Sequence, residues 1–477
     1  MNIRCFGLCL LLTIWLCGCK KLIEIPVPAT SLTGKAVFAT DATAISVLTG
    51  IYAAMSESSP AASGTIPSLT LYTGLSADEW TLVNGTPNLM ALAYYHNALS
   101  GSVNGYGYEY WSGFYPTIAS CNAAIAGLNS SSSLTPAVKQ QLLGEAFFLR
   151  AYFYFYLVNL FGDVAMPLST GYPFTASLAR TPADSVYRQI VADLREAQGL
   201  LSTQWLDQTL LYPGAERVRP TKWAAMALLA RVCLYTGDWP AAVQEADSVI
   251  NNIGKFSLCS LDTCFLKASL GNNEAIWQLQ PVNFGWNTED AKAFIIPATG
   301  VGTGFNVGVC LSPWLLNAFE PGDLRRSHWV DSTIVGGTAY YYPYKYRVSA
   351  YNQPVSEYLM LLRLGELYLI RAEAKARLGD PDGAVADLNV IRSRAGLAPV
   401  GVSAGVLTAI WHERQVELFA ELGQRWLDLK RTGEVESVMT VVTPQKGGGA
   451  WSNYQQWYPL PVSDLQLDPS LHQNSGY

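Results

Sequence analysis

The chain has 477 residues, of which 50% are hydrophobic, 12% aromatic and only 14% charged, and its net charge is −6. That apolar content excludes a disordered chain, and the absence of any Lys/Arg block excludes a nucleic-acid footprint. Charged residues fall well below the ~25% usual in soluble proteins while Tyr (26) and Trp (14) are abundant, a balance that suits uncharged ligands or a large protein interface.

In chain order, Arg4 precedes an apolar run from Cys5 to Trp15. The run is too short for the ~20 residues of a membrane-spanning helix and predicts a secretory signal peptide over residues 1–18. Leu16-Cys17-Gly18-Cys19 resembles the bacterial lipobox, which implies that Cys19 carries the lipid and opens the mature chain. Lipidation at Cys17 is rejected, because it would place bulky Trp15 and Leu16 before the cleavage point. Loss of Arg4 with the leader takes the net charge to −7. Lys20 follows the anchor, and no aspartate there suggests inner-membrane retention, so the outer membrane is expected. Residues 19–34, with Pro26 and Pro28, read as an extended lipidated tether. Beyond Cys19 the cysteines are Cys121, Cys233, Cys259, Cys264 and Cys310, with no zinc spacing; Cys259 and Cys264 lie close enough for a local disulfide.

Helical patterns cover 40–57, 138–161, 184–201, 221–236, 239–252, 357–378, 381–395 and 404–431. Thr40 or Asp41 caps the first of these, and Gly162 ends the second. Trp111 and Tyr115 open a further helix ending near Leu128. From 255 to 350 the pattern gives way to Gly, Asn, Pro and aromatics with short β-like runs (AIWQLQPV, TAYYYPYKYR), an irregular excursion of the kind that carries binding residues. Trp277 within it alternates with apolar residues as in a buried strand. Two segments share a helix–turn–helix plan, "ARVCLYTGDWPAAVQEADSVI" at 230–250 and "AEAKARLGDPDGAVADLNVI" at 372–391. Gly237 superposes on Gly379, Asp238 on Asp380 and Ala242 on Ala384, a plan similar to tetratricopeptide repeats.

Several charges sit within apolar helical patterns: Glu145, Arg150, Arg363, Glu366, Arg371 and Glu373, and the stripe Glu413, Glu417, Glu421, Arg425. A glycosidase would need two carboxylates about 5–10 Å apart. Ion pairing with helical neighbours at i,i+3 spacing, and neutralisation of Arg414, Arg425 and Arg431, explains these residues better. Asp380-Pro-Asp382-Gly begins like a calcium loop but lacks the later ligands. The histidines are isolated and no dinucleotide or phosphate loop exists, so neither a cofactor nor a metal is expected and nothing argues for an enzyme.

Together these stretches look familiar. The lipobox, "FATDATAISVLTGIYAAM", "LSADEW", "GEAFFLRAYFYFYLVNLFGDVAMPL", "RVRPTKWAAMALLARVCLYTGDW", "LLRLGELYLIRAEAKARLGD" and "ERQVELFAELGQRWLDLKRTG" follow one another in an order that resembles the SusD/RagB family. The ending "YPLPVSDLQLDPSLHQNSGY" also resembles that family's, a proline-bounded strand with an aromatic tail. The resemblance runs from Cys19 to Tyr477 and implies a mainly α fold. It predicts a single SusD-like domain over 35–477, with TPR-like helices at about 40–252 and 357–431 supporting the loop-rich excursion at about 255–350. It also implies a surface lipoprotein lying over a SusC-like TonB-dependent outer-membrane barrel and capturing a glycan, or, in the RagB branch, a peptide.

Chemistry then selects candidate ligand residues. A pyranose offers apolar C–H faces edged by hydroxyls, so its binder needs flat Trp or Tyr rings with polar neighbours. The stretch 72–111 holds Tyr72, Trp80, Tyr94, Tyr95, Tyr106, Tyr108, Tyr110 and Trp111 with Asp78, Glu79, Asn84 and Asn104; the excursion adds Trp277, Trp286, Asn287 and Trp314. The family draws its ligand residues from these same two neighbourhoods. The candidates are Asp78, Trp80, Tyr108, Trp286 and Trp314. A structural scaffold whose rings serve only the barrel interface is the competing expectation.

Overall fold

The computed structural model describes residues 34–83, 88–171, 178–402 and 405–477. The leader, Cys19, Asn84 and all of the tether but its last residue lie outside the described residues. Helices dominate: α1 (Asp41–Glu57), α2 (Glu109–Ser130), α3 (Pro136–Phe161), α4 (Ala183–Leu200), α5 (Lys222–Thr236), α6 (Trp239–Ile250), α7 (Leu364–Arg377), α8 (Pro381–Arg394), α9 (Val406–Glu417) and α10 (Gln424–Thr432). The Thr40 hydroxyl caps α1 by accepting from the Thr43 amide. Helix α3 is apolar all round rather than on one stripe, and accordingly it is buried on nearly every side, between α2 and α4. It ends at Gly162, whose φ of 75° a side chain would resist.

The two repeated segments form the hairpins α5–α6 and α7–α8, which stack through α6 and α7. Each turn is built the same way. Gly237 and Gly379 take φ of 76° and 82°, and the following Asp238 and Asp380 carboxylates accept from the amides of Ala241 and Gly383. Fully buried Ala242 and Ala384 let the paired helices approach closely. Asp380 is thus a helix cap.

Two helices expected from sequence are shorter than expected. Over 357–378 the chain first forms a strand, β6 (Leu359–Arg363), paired antiparallel with β2 (Ala275–Leu279); only then does α7 begin. A run such as Leu-Met-Leu-Leu, buried on both faces, reads equally as helix or strand, and a partner about 80 residues away decides it. The span 404–431 breaks between α9 and α10, where Ala420, Leu422 and Gly423 take positive φ. The freed amides of Ala420 and Leu422 donate to the Glu79 carboxylate and the Thr70 hydroxyl. At the C-terminus a helix, Val462–Leu467, stands where the proline-bounded strand was expected.

Three further strands lie in the excursion and one before it. β1 (Trp80–Leu82) pairs with β3 (Val309–Leu311), joining the two aromatic-rich neighbourhoods. β4 (Val330–Val335) and β5 (Thr338–Pro343) form a hairpin across Gly336-Gly337, both at positive φ. Cys259 and Cys264 remain free thiols, so the local disulfide does not form. Among the described residues no helix is long and apolar enough to cross a membrane.

The buried charges pair mostly across elements; along a helix, Arg431 also takes Asp428 at 2.7 Å. Arg150 holds Asp193 of α4 at 2.6 Å, Glu145 takes Arg219, Glu366 takes Arg231 of α5, Arg371 takes Asp387 of α8, and Glu373 takes Arg431 of α10. Because α3 and α7 are covered all round, each charge must be answered by the element covering it. The largest cluster joins the excursion to the helices. Glu417 receives Arg363 (2.6 Å), Arg325 (2.9 Å) and Arg394; Glu421 receives Lys345 (2.5 Å) and Arg363 (2.8 Å); Glu274 receives Arg394 (2.6 Å). Burial alone would push the Glu417 carboxyl up, but Arg394, Arg363 and Arg325 together hold it well below the usual carboxylate range.

Candidate functional site

Trp286 is where the excursion turns its aromatic residues outward. The Phe284-Gly285-Trp286 segment is a loop fixed from behind. Asn287, buried, accepts from the amides of Ser356 and Glu357 and donates to the Pro354 carbonyl, while the Asn352 amide donates to Gly285 at 2.6 Å. Gly285 is required here: its φ is 79°, and a Cβ would stand 2.4 Å from the Tyr351 ring. A second loop, 300–308, is organised by Asn306, whose side-chain oxygen accepts from the amides of Gly302 and Gly308 while its nitrogen donates to the Ala293 carbonyl.

These two loops and the turn at Tyr351 bring together rings that are far apart in sequence. Trp286 stands 5.1 Å from Phe305 at 78°, and 5.3 Å from Tyr351 at 57°. Phe305 is 61% exposed, Tyr351 55% and the adjoining Phe284 85%. Lys292 lies over Trp286 and Phe305, 4.7 Å from each centroid, and its ammonium pairs with Glu289 at 3.2 Å. Asn283 donates to Glu289 at 2.8 Å. The result is an open aromatic platform with a polar edge: ring faces for apolar C–H surfaces, and beside them the Lys292 ammonium held by the buried Glu289 carboxylate.

Of the five candidates read from sequence, Trp286 alone stands on this platform. Trp80 is corrected by the structure to a core residue: it is 0% exposed, its indole N–H donates to the Thr70 carbonyl at 2.9 Å, and its ring stacks on Phe294 at 4.8 Å. Gly74 leaves the room for it, since a Cβ there would collide with the indole. Trp80 nonetheless matters to the site from beneath, because Phe294 ends the short helix Glu289–Phe294 that carries Lys292. Asp78 is likewise buried and consumed internally, by a two-pronged pair with Arg425 at 2.7 Å. Burial pushes its carboxyl up, and the Arg425 guanidinium outweighs this and holds it low. Tyr108 stands half-buried at the N-terminus of α2, and Trp314 packs partly buried against the main core; no ring contact joins either to Trp286 among the described residues.

Phe284, Phe305, Tyr351 and Lys292 were not anticipated. A usable signal existed in Phe284-Gly285-Trp286 and Gly304-Phe305: a large ring beside a glycine in a loop has no packing duty that the glycine could serve.

Comparison with known proteins agrees with this architecture. A model described as "SusD family" matches residues 331–477, and one described as "Starch-binding associating with outer membrane" matches residues 46–234. The chain belongs to the SusD/RagB family. A SusD-like protein of Formosa agariphila, P2, is 29% identical over 98% of both chains. Among solved structures, surface glycan-binding protein A from Bacteroides uniformis superposes with a TM-score of 0.77 at 20% identity, covering 91% of this chain and 99% of that one. A laminarin-binding SusD-like protein superposes with a TM-score of 0.73 at 23% identity, with coverages of 91% and 99%. The SusD-like fold, a helical body with TPR-like pairs and small antiparallel sheets, is therefore that of this chain as well.

Proposed function

We propose that this SusD/RagB-family chain is a non-catalytic glycan-binding lipoprotein that captures an oligosaccharide on the Phe284/Trp286/Phe305/Tyr351 platform and delivers it to a SusC-like TonB-dependent barrel in the outer membrane. The observation that carries this reading is the contact of Trp286 with the exposed rings of Phe305 and Tyr351, next to the exposed Phe284, since a protein does not leave large aromatics together at its surface without a partner for them. Relatives named as glycan- and laminarin-binding proteins support it. An open surface fits a chain lying across it better than a small molecule enclosed on all sides.

Non-catalytic action is supported by the fate of the carboxylates. Glu366, Glu373, Glu413, Glu417 and Glu421 are all engaged by guanidinium or ammonium groups in the interior. The proposal retains a leader over 1–18, lipidation at Cys19, a tether to residue 34 and a single domain from 35 to 477, with the protein facing the cell exterior. Calorimetry of the lipid-free mature chain against a panel of polysaccharides tests it. Binding without release of product, lost in Trp286→Ala, is expected. Affinity for a mixed peptide pool with none for any glycan would replace the glycan by a peptide cargo.

A further inference from the structure

Helix α2 shows solvent a face that carries no charge. After Glu109 the helix has no acidic or basic residue, and its exposed positions include Ser112, Pro116, Ala119, Ser120, Ala123 and Ala126. The outer face of a helix is ordinarily polar or charged. This one leads into a groove of about 590 Å³, lined by Tyr115, Pro116 and Ala119 of α2 together with Leu178, Leu467 and Leu471. Leu467 is 84% exposed, so the groove presents open apolar surface. Two acids complete the lining. Asp464 accepts from the Trp111 indole N–H at 3.0 Å, and Asp468 from the Ser470 amide and hydroxyl at 2.9 and 2.6 Å. Neither meets a lysine or an arginine among the described residues.

The described chain begins at the other end of the same helix. The Phe38 ring packs over Gly127, where a Cβ would stand 2.2 Å from it, and the Ser131 hydroxyl donates to the Phe38 carbonyl at 2.7 Å. From Gly127 back to Ala119 and Trp111 is about 12–24 Å along the helix axis. Upstream of Gly34, the stretch Leu22-Ile23-Glu24-Ile25-Pro26-Val27-Pro28 stands six to twelve positions away, a reach of about 20–40 Å for an extended chain. Pro26 and Pro28 favour an extended backbone, on which Ile23, Ile25 and Val27 share one face. Lys20 and Lys21 precede them. Laid back along α2, the stretch brings three branched apolar side chains to the groove. Its two lysines then arrive at the Trp111 end, where Asp464 stands.

We propose that this groove is the docking site of the chain's own tether, with Ile23, Ile25 and Val27 filling it and Lys20 and Lys21 pairing with Asp464 and Asp468. Reach, alternation of the apolar residues, and two cations for two acids that have none select this occupant over a partner protein. The apolar contact takes surface on both sides out of water. With lipid at the neighbouring Cys19, docking shortens the leash, and the body is held to the membrane by its 462–471 edge rather than by the full length of the tether. The inference rests on the tether reading and is independent of the platform.

Amide hydrogen exchange of the lipid-free mature chain, read at Leu22, Ile23, Ile25 and Val27, tests it. Exchange at these residues should be at least about tenfold slower than in a free peptide of the same sequence. Ile25→Glu and Ala119→Glu should each return it to the free-peptide rate. Ile25→Glu alters no residue of the body, and an unchanged circular dichroism spectrum confirms that Ala119→Glu is folded. Lys20→Ser with Lys21→Ser should speed exchange about threefold at low salt and leave it unchanged at high salt. Free-peptide rates in the parent overturn the docking, as does protection that survives Ala119→Glu. Protection that falls on dilution assigns the contact to a second copy and overturns it too. If Ala119→Glu alters exchange only in some other segment, the groove belongs to that segment and the inference fails. Glycan takes no part in the measurement, so the platform reading stands or falls separately.

Discussion

The helical body and the loop excursion of this protein dispose of their side chains in opposite ways. In the body, and where the excursion meets it, charges are inside: Arg363, Arg394, Arg325 and Lys345 share Glu274, Glu417 and Glu421 in a network with almost no exposure. On the outer side of the excursion, large rings are outside, and the polar groups behind them are backbone atoms bonded by Asn287 and Asn306. The body shows near-saturation: each charged head in the network is held by an opposite charge, and although the Arg394 Nε lacks an acceptor it is buried out of a ligand's reach. The excursion shows rigidity combined with unspent surface. Recognition needs the second condition, and the first supplies the fixed base on which it stands.

The sharpest way to break this contrast is to attack the network. Glu417→Ala leaves three guanidinium groups without their shared partner, and urea unfolding should show a loss of about 3–5 kcal/mol. Trp80→Ala should cost a comparable amount, about 3–5 kcal/mol, by opening a cavity under the helix that carries Lys292. A Trp80→Ala chain that loses glycan affinity with unchanged stability would return Trp80 to the binding surface. Trp286→Ala should do the reverse of both: a loss of about 2 kcal/mol in glycan binding by calorimetry, with an unfolding midpoint close to that of the parent.

Smaller effects sharpen the same division. Burial raises Glu79 and Asp290 to about 8, with Asp78 adding to the shift at Glu79 and Glu289 at Asp290. Both groups are thus protonated in the folded chain at a pH where the unfolded chain has released its protons. Their contribution to stability is complete below about pH 4 and is lost as pH rises through 8. The thermal midpoint should fall across that window, and Glu79→Gln with Asp290→Asn should flatten the slope. Glu417, Glu421 and Asp428 are shifted the other way, held low by their arginine and lysine partners against the pull of burial, so their contribution fails only in acid below that window. Last, Lys292→Met keeps the stem over the two rings and removes the ammonium, and should weaken binding by about 0.5–1 kcal/mol.

The sequence by itself determined the elements whose signals are local. The apolar run to Gly162, the paired Gly-Asp turns at 237 and 379, and the change of texture after 255 each depend on residues within a few positions of one another, where capping, glycine conformation and periodicity act. Tertiary structure decided whatever depends on a distant partner. β6 is a strand because β2 lies beside it, and the helical pattern after Glu417 breaks where Glu79 and Thr70 satisfy the amides it releases. Most of the ion pairs expected at i,i+3 within helices formed between helices for the same reason, although Arg431 does pair with Asp428 one turn away. The site divided along this line as well. Trp286 was visible as an aromatic in an irregular stretch, but whether a ring faces solvent or core is a property of what packs against it. Trp80 met Phe294 and went inside; Trp286 met Phe305 and Tyr351 at the surface, and stayed in reach of a ligand.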